Sequence, residues 1–266
     1  MNSILEEIIA HKKKEVEERK QRLPFSSLMK KAESTFSGPS LKDALTSGSS
    51  PAIIAEFKRK SPSKGVLNEK ASVQSVITGY TAYGASAISV LTDEKFFGGS
   101  WNDLHLARQI TDLPVLCKDF IIDQYQLWEA KAAGADVILL VAAALDRKQL
   151  HMLAERACDL DLEVLLEIHN EQELDALHQN VTLVGVNNRN LSTFSTSVDV
   201  SLKLADKIPA DFIKIAESGI ASADTIITLY KAGYKGFLIG EHFMRHPDPP
   251  VVLHQLRQDM MNKMKP

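Results

Sequence analysis

Residues 115–141 read VLCKDFIIDQYQLWEAKAAGADVILLV, and this stretch decides the fold. Val115, Leu116 and Cys117 make a short apolar run that ends on Lys118. A longer segment of helical pattern follows over 124–133, closed by Gly134-Ala135. A glycine there supplies the left-handed turn that ends a helix. Residues 137–141 are then apolar throughout, with no polar alternation. A strand of that kind is buried on both faces, as in a parallel sheet covered by helices.

Working outward, the same rhythm repeats. Candidate strands fall at 52–57, 87–92, 115–118, 137–141, 163–168, 183–186, 212–216 and 237–239, eight in all. Helical patterns lie between them at 73–83, 102–110, 124–133, 146–160, 171–178, 200–207 and 223–232, and Gly84-Ala85 and Gly233-Tyr234 close two of these as Gly134-Ala135 does. Eight strand–helix units in about 200–250 residues predict a closed (β/α)8 TIM barrel of the α/β class. The rival is an open doubly wound sheet. The first strand leads into KRKSPSKG at 58–65 rather than a G-x-G-x-x-G turn, and no G-x-x-x-x-G-K-[ST] loop occurs.

The first fifty-one residues differ. Ile4, Leu5, Ile8, Ile9 and Val16 recur at helical spacing, with Lys12, Lys13, Lys14, Glu15, Glu17 and Glu18 around them. This predicts an amphipathic helix laid against the main domain, its charged face in solvent. Residues 36–51 are rich in Ser, Gly and Pro and read as a loop with a short helix near 41–45. The expected organisation is one domain over 1–266, with a helical extension at 1–51 packed on a barrel at 52–266.

Composition narrows the class. Hydrophobic residues make up 44% and charged residues 24%, which excludes a disordered chain. The net charge of -3 offers no basic excess for nucleic acid. No apolar run reaches the roughly 18–20 residues that cross a bilayer, and the N-terminus lacks the order of a secretory signal. Two cysteines, Cys117 and Cys158, are too few for a disulfide framework and read as reduced core residues of a cytoplasmic protein. His242 and His246 have the spacing of two zinc ligands on a helix, but Pro247 follows at once and no H-E-x-x-H occurs; they read as surface histidines.

In a barrel of this kind the chemistry sits at the C-terminal strand ends. Those ends carry Glu56 and Lys58, then Lys60 and Ser61; Lys118, Asp119 and Phe120; Glu167; Asn187, Asn188 and Arg189; Glu217, Ser218 and Gly219; and Gly240 and Glu241. Burying an unpaired carboxylate is costly, so Glu56 and Glu167 need cations, and Lys58 and Lys118 are the natural ones. Clustered charges drive pKa values apart, which general acid–base work requires. Gly219, Gly240, Lys60, Ser61 and Arg189, with Ser222 as a helix cap, read as an anion pocket of the kind barrels form after strands seven and eight.

The blocks IAEFKRKSPS (54–63), LTDEKFF (91–97), KDF (118–120), LE (166–167), GVNNR (185–189), AESGI (216–220) and LIG (238–240) occur in the order of one family. The chain resembles indole-3-glycerol-phosphate synthases along nearly its whole length. The resemblance implies ring closure, with decarboxylation and dehydration, of 1-(2-carboxyphenylamino)-1-deoxy-D-ribulose 5-phosphate in tryptophan biosynthesis. It implies no metal and no organic cofactor, and a small sugar-phosphate as partner; a monomer is expected over an oligomer. By resemblance Lys118 is the general acid at the ribulose carbonyl oxygen. Glu167 and Lys58 assist closure and loss of water, and Glu56 orients the lysines. Asn187, Glu217 and Ser218 hold the sugar and the acid–base network. Arg189 and Lys58 face the anthranilate carboxylate or the nearby network, and Lys60, Ser61, Gly219, Gly240 and Glu241 form the phosphate cradle. Phe97, Phe120, Leu139 and Leu191 line the ring pocket.

Two positions depart from the family pattern. Asn190 stands where many members have Asp, and Glu241 where a small hydroxyl residue is common. A phosphoribosylanthranilate isomerase is the nearest rival, but it would want a cysteine–aspartate pair, and the first strand ends on Glu56 and Lys58 instead. A non-catalytic sugar-phosphate-binding barrel would need the cradle without Lys118 and Glu167.

Overall fold

The computed structural model describes residues 3–35 and 37–265. Phe36, the first residue of the expected loop, and the chain's terminal residues 1, 2 and 266 lie outside them. Three helices come first: α1 (Ile4–Arg22), α2 (Phe25–Glu33) and α3 (Leu41–Thr46). The chain continues through β1 (Ala52–Phe57), a hairpin of β2 (Lys60–Ser61) and β3 (Gly65–Val66), α4 (Val73–Ala82), β4 (Ala87–Leu91), α5 (Glu94–Phe97), α6 (Trp101–Ile110) and β5 (Val115–Lys118). It proceeds through α7 (Gln124–Ala133), β6 (Val137–Val141), α8 (Arg147–Asp159), β7 (Glu163–Ile168), β8 (Leu183–Asn187), α9 (Asp199–Leu204), β9 (Ile213–Glu217), α10 (Ala223–Lys231), β10 (Tyr234–Ile239), α11 (Glu241–Met244) and α12 (Pro249–Met264).

Eight parallel strands close a barrel in the order β1-β10-β9-β8-β7-β6-β5-β4, with β4 returning to β1. This is the (β/α)8 architecture that the repeated apolar runs predict. One connection differs. Between β7 and β8 the chain makes 3-10 turns over Glu171–Ala176 where a helix over 171–178 was expected. Only Leu174, Ala176 and Leu177 are apolar there, too few for a helical stripe to pack on the barrel.

Parity along the strands sorts the side chains. Ile53, Ala55 and Phe57 of β1 pack outward against helices, while Ala52 and Ile54 join the barrel interior with Leu116, Leu139, Leu165, Ile215 and Leu238. Leu41 and Leu45 of α3 belong to that interior cluster and plug the N-terminal end of the barrel. Glu163, at the start of β7, fastens the plug: its carboxylate accepts from Leu41 N at 2.6 Å and from Ser40 Oγ at 2.7 Å. The opposite, C-terminal end stays open.

Two expectations are overturned here. Lys12 is not on a solvated face; its side chain is 0% exposed and ion-paired with Asp93 and Asp119 of the barrel. The periodicity of α1 marks its apolar stripe but cannot show what the barrel presents to the rest of the helix. Cys158 is exposed, because the buried stripe of α8 is Leu150, Leu153, Ala154 and Ala157 and the next residue turns away from it. Cys117 is buried as expected.

Candidate active site

The inward parity of each strand carries on to its C-terminal end. Counting by twos, Ile54 leads to Glu56, Leu116 to Lys118, Leu165 to Glu167, Ile215 to Glu217 and Leu238 to Gly240. Glu56, Lys118, Glu167 and Glu217 therefore converge above the apolar layer, where they line a cavity of about 510 Å³.

Lys118 is the hub. Its Nζ donates to Glu167 Oε2 at 2.9 Å and to Glu217 Oε2 at 2.6 Å. Burial works against the ammonium, but Glu167, Glu217 and Glu56 outweigh it and hold its pKa above the ordinary lysine value. Lys58 pairs separately with Glu56, Nζ to Oε1 at 2.6 Å. Both lysines thus take the carboxylate partners that burial demands.

The two carboxylates on Lys118 differ. Glu167 Oε1 accepts from Asn187 Nδ2 at 3.1 Å and faces His169 Nε2 at 3.4 Å. Burial pushes its pKa up, but Lys118 and His169 overcome this and hold it below the usual carboxylate range. Glu217 Oε1 is buried without a hydrogen-bond partner among the described residues. Burial raises the pKa of Glu217 and Lys118 opposes it, while repulsion from Glu167 and Glu56 adds to the rise, leaving it at about 7. Two glycines make room for this layer. A Cβ on Gly185 would lie 2.1 Å from Glu217 Oε1, and one on Gly240 would lie 2.2 Å from Glu56 Oε1.

On one side the cavity is aromatic and apolar. Phe97 and Phe120 face each other with ring centroids 6.3 Å apart, and Leu139 and Leu191 line the same cavity. The other side suits an anion. Ser218 and Gly219 have φ of 64° and 72°, so the chain turns sharply after β9 and lines the cavity with residues 218–221. Ser222 caps α10 as expected, accepting from Thr225 N. Arg189 reaches across, donating to Ser63 Oγ at 2.6 Å and to Glu241 Oε2 at 2.7 Å. Glu241 turns its other oxygen to Arg245 at 2.7 Å. Asn190 makes no pair with Arg189; its Oδ1 accepts from the amides of Ser192 and Thr193, 2.9 Å each, and shapes the loop.

The expected residues Glu56, Lys58, Ser61, Phe97, Lys118, Phe120, Leu139, Glu167, Asn187, Arg189, Leu191, Glu217, Ser218, Gly219, Gly240 and Glu241 all line this cavity. Lys60 does not; its ammonium donates to the carbonyl of Lys95 in α5. The expectation for Lys60 rests on its place just after β1 and on the family resemblance. There the chain enters the β2–β3 hairpin, with Arg59 tied to Asp103 at 2.6 Å, and the Lys60 side chain turns toward α5. Other lining residues were not foreseen: Ile4, Leu5 and Ile8 of α1, Ser63, and Arg245. Arg245 had a signal, four residues beyond Glu241 on one helical turn. His169 had one too, two residues beyond Glu167 and just past the end of β7.

Among the described residues no group of three or more His, Cys, Asp or Glu is placed to hold a metal ion, and no helix is long and apolar enough to cross a membrane. Fold and site together define an acid–base (β/α)8-barrel enzyme with an apolar ring-sized face and an anion-binding face. Residues 5–256 match the family model described as indole-3-glycerol phosphate synthase. The indole-3-glycerol phosphate synthase of Bacteroides thetaiotaomicron is 49% identical over 94% of this chain and 95% of its own. That of Acidithiobacillus ferrooxidans is 45% identical over 96% of this chain and 99% of its own. The chain belongs to the indole-3-glycerol phosphate synthase family. Among solved structures, 3-hexulose-6-phosphate synthase from Salmonella typhimurium superposes with a TM-score of 0.63 at 13% identity, over 79% of this chain and 99% of that one. Thiamine phosphate pyrophosphorylase from Pyrococcus furiosus gives 0.61 at 16%, over 85% and 100%. At such identities the likeness is one of fold.

Proposed function

We propose that this chain converts 1-(2-carboxyphenylamino)-1-deoxy-D-ribulose 5-phosphate to indole-3-glycerol phosphate, carbon dioxide and water, the indole-forming step of tryptophan biosynthesis. The observation that carries this reading is the Lys118 ammonium held between Glu167 and Glu217, with an aromatic face on one side and an anion-binding face on the other. The ring lies against Phe97, Phe120, Leu139 and Leu191. The phosphate takes the cradle of Ser61, Gly219, Gly240 and the backbone at Glu241. Lys60 stands outside the cavity, and Arg189, paired with Glu241, is a cation of this side. Held at both ends, the substrate folds so that its reacting carbons meet, which removes much of the entropic barrier.

Lys118 donates its proton to the ribulose carbonyl oxygen as the ring carbon bearing the carboxylate attacks the carbonyl carbon. Attack breaks the aromaticity of the ring, so the barrier falls when the developing alkoxide is neutralised. Loss of carbon dioxide leaves its electron pair in the ring system. The hydroxyl formed from the carbonyl then takes up a proton and departs as water, and the adjacent carbon that bears the nitrogen loses a proton as the double bond of the indole forms. Glu217, rather than Glu167 or Lys58 as the resemblance implies, is suited to carry a proton in this step, since its pKa lies at about 7. Glu167 stays ionised and keeps Lys118 charged, Lys58 and Glu56 form the second pair beside them, and Asn187 and Ser218 hold the sugar. The site is complete within one chain, which supports action as a monomer, and two unbridged cysteines support a cytoplasmic setting. The helices of 1–51 act with the barrel as one domain, because α3 plugs its base and α1 lines its cavity.

The test is direct. The purified chain is given the substrate without added metal, and formation of the fluorescent indole is followed. Turnover is expected; a folded protein that binds the substrate but makes no indole would overturn the reading in favour of a binding protein.

A further inference from the structure

Lys12 is a buried charge that the chemistry above does not use. Its Nζ lies 2.9 Å from Asp93 Oδ2, 2.8 Å from Asp119 Oδ1 and 2.8 Å from Glu15 Oε2. Both aspartates are buried in the barrel and follow the ends of different strands, Asp93 after β4 and Asp119 directly after Lys118. Lys12, Asp93 and Asp119 are buried, with Glu15 at the edge of the cluster, and a buried ion cluster gains little stability over a well-packed apolar plug of the same shape. What it does supply is fixed geometry, because each carboxylate has a second task.

Asp93 caps α5: its Oδ1 accepts from Phe96 N at 2.7 Å, and the next residue is Phe97. Asp119 Oδ1 accepts from Phe120 N at 2.7 Å, and its Oδ2 accepts from Thr92 Oγ1 at 2.7 Å. One lysine thus joins the carboxylate that caps the short helix ending in Phe97 to the one that holds the backbone of Phe120. It also fixes α1 over the same face. Ile4, Ile8 and Lys12 recur every four residues along one side of the helix, and Ile4 and Ile8 line the cavity. Packing between His11 and Phe96, ring centroids 5.8 Å apart, runs beside this contact.

We propose that Lys12 is a positioning residue for the ring end of the substrate. It ties α1, Asp93 and Asp119 together so that Phe97 and Phe120 stand at the spacing an aromatic ring needs. The inference rests on the reading of that face as the ring subsite. It predicts a defect confined to one end of the substrate, which a merely stabilising contact would not produce.

The experiment compares Lys12→Met with the wild type. KM for the substrate should rise about tenfold, the scale of one lost aromatic contact, with kcat changed much less. Competitive inhibition by inorganic phosphate, which probes only the anion end, should stay the same. Lys12→Arg, which keeps the charge, should recover most of the affinity. If Lys12→Met does not fold, Asp93→Asn replaces it: asparagine still caps a helix but weakens the tie, and KM should rise in the same selective way. Unchanged KM in a folded variant, or a parallel loss of substrate and phosphate binding, would overturn the proposal. Absence of indole from the wild type would instead overturn the function on which it rests.

Discussion

Lys118→Met tests the centre of the site. The substitution keeps most of the side-chain length and removes the ammonium, which donates to Glu167 at 2.9 Å and Glu217 at 2.6 Å. If Lys118 is the acid at the carbonyl oxygen, turnover should fall by about 10²–10⁴-fold, or about 3–5 kcal/mol of barrier. Stability should fall as well, because two buried carboxylates lose their shared cation; breaking a buried pair costs about 3–5 kcal/mol. That cost should depend on pH in a defined direction. Without the ammonium, Glu217, already raised in the fold by burial and by repulsion from Glu167 and Glu56, rises further above its value in the unfolded chain. In that window the folded state binds protons that the unfolded chain has released, so stability falls as pH rises. The variant should therefore lie closest to the wild type near about pH 5 and furthest from it near about pH 8. Indole fluorescence gives the rate, and thermal melts at the two pH values give the stability. A folded variant that retains turnover within about tenfold of the wild type would refute the role of Lys118. A stability loss that does not vary with pH would refute the account of Glu217.

Three further outcomes follow from the same geometry. Glu217→Gln removes the group whose pKa lies at about 7, so the inflection of kcat near that pH should vanish from the pH–rate profile. Since the raised pKa makes wild-type stability fall between about 4.5 and about 7, this variant should also flatten that slope in denaturant titrations. Gly219→Ala places a Cβ 2.5 Å from Thr196 Cγ2 at a φ of +72°, and thermal melts should show a loss of about 1–2 kcal/mol or more with weaker phosphate binding. Glu241→Ser removes the partner of Arg189 at 2.7 Å and frees that arginine for the substrate phosphate. Competitive inhibition by inorganic phosphate should tighten by about fivefold, the scale of one partly exposed charge pair.

Much of the fold and site was legible because one rule governs both. Continuous apolar runs marked the strands, and the period of two aimed Glu56, Lys118, Glu167 and Glu217 into the same layer. What parity could not reach was hidden. Lys60 left the expected set because a hairpin broke the register after β1. A charged residue beside an apolar stripe is normally solvated, and only Asp93 and Asp119, buried in another part of the chain, reverse that for Lys12. Ile4 and Ile8 were legible as a buried face, but not as the wall of a cavity, since sequence spacing carries no information about what a helix covers.

The same limit hides from the sequence which of the two carboxyls on Lys118 carries the exchangeable proton. Both are glutamates at strand ends, both are buried, and both touch Lys118. A single ammonium does not support two ionised neighbours equally in a dry site, where like charges drive their pKa values apart. The asymmetry comes from outside the pair. Glu167 has a second cation, His169, whose own pKa is raised to about 10 by Glu167 and Glu173 against the pull of burial, so the imidazole is charged at neutral pH. Glu217 has no such partner and leaves one oxygen unbonded. The charge therefore settles on Glu167 and the exchangeable proton on Glu217. His169 reaches this position because it stands two residues beyond Glu167 on the inward side of the chain, and Glu173 receives its backbone N–H at 2.7 Å. The short 3-10 connection after β7 keeps Glu173 close to the strand end that bears Glu167. That irregular connection, the one place where the expected helix failed to form, helps to decide which carboxyl holds the proton.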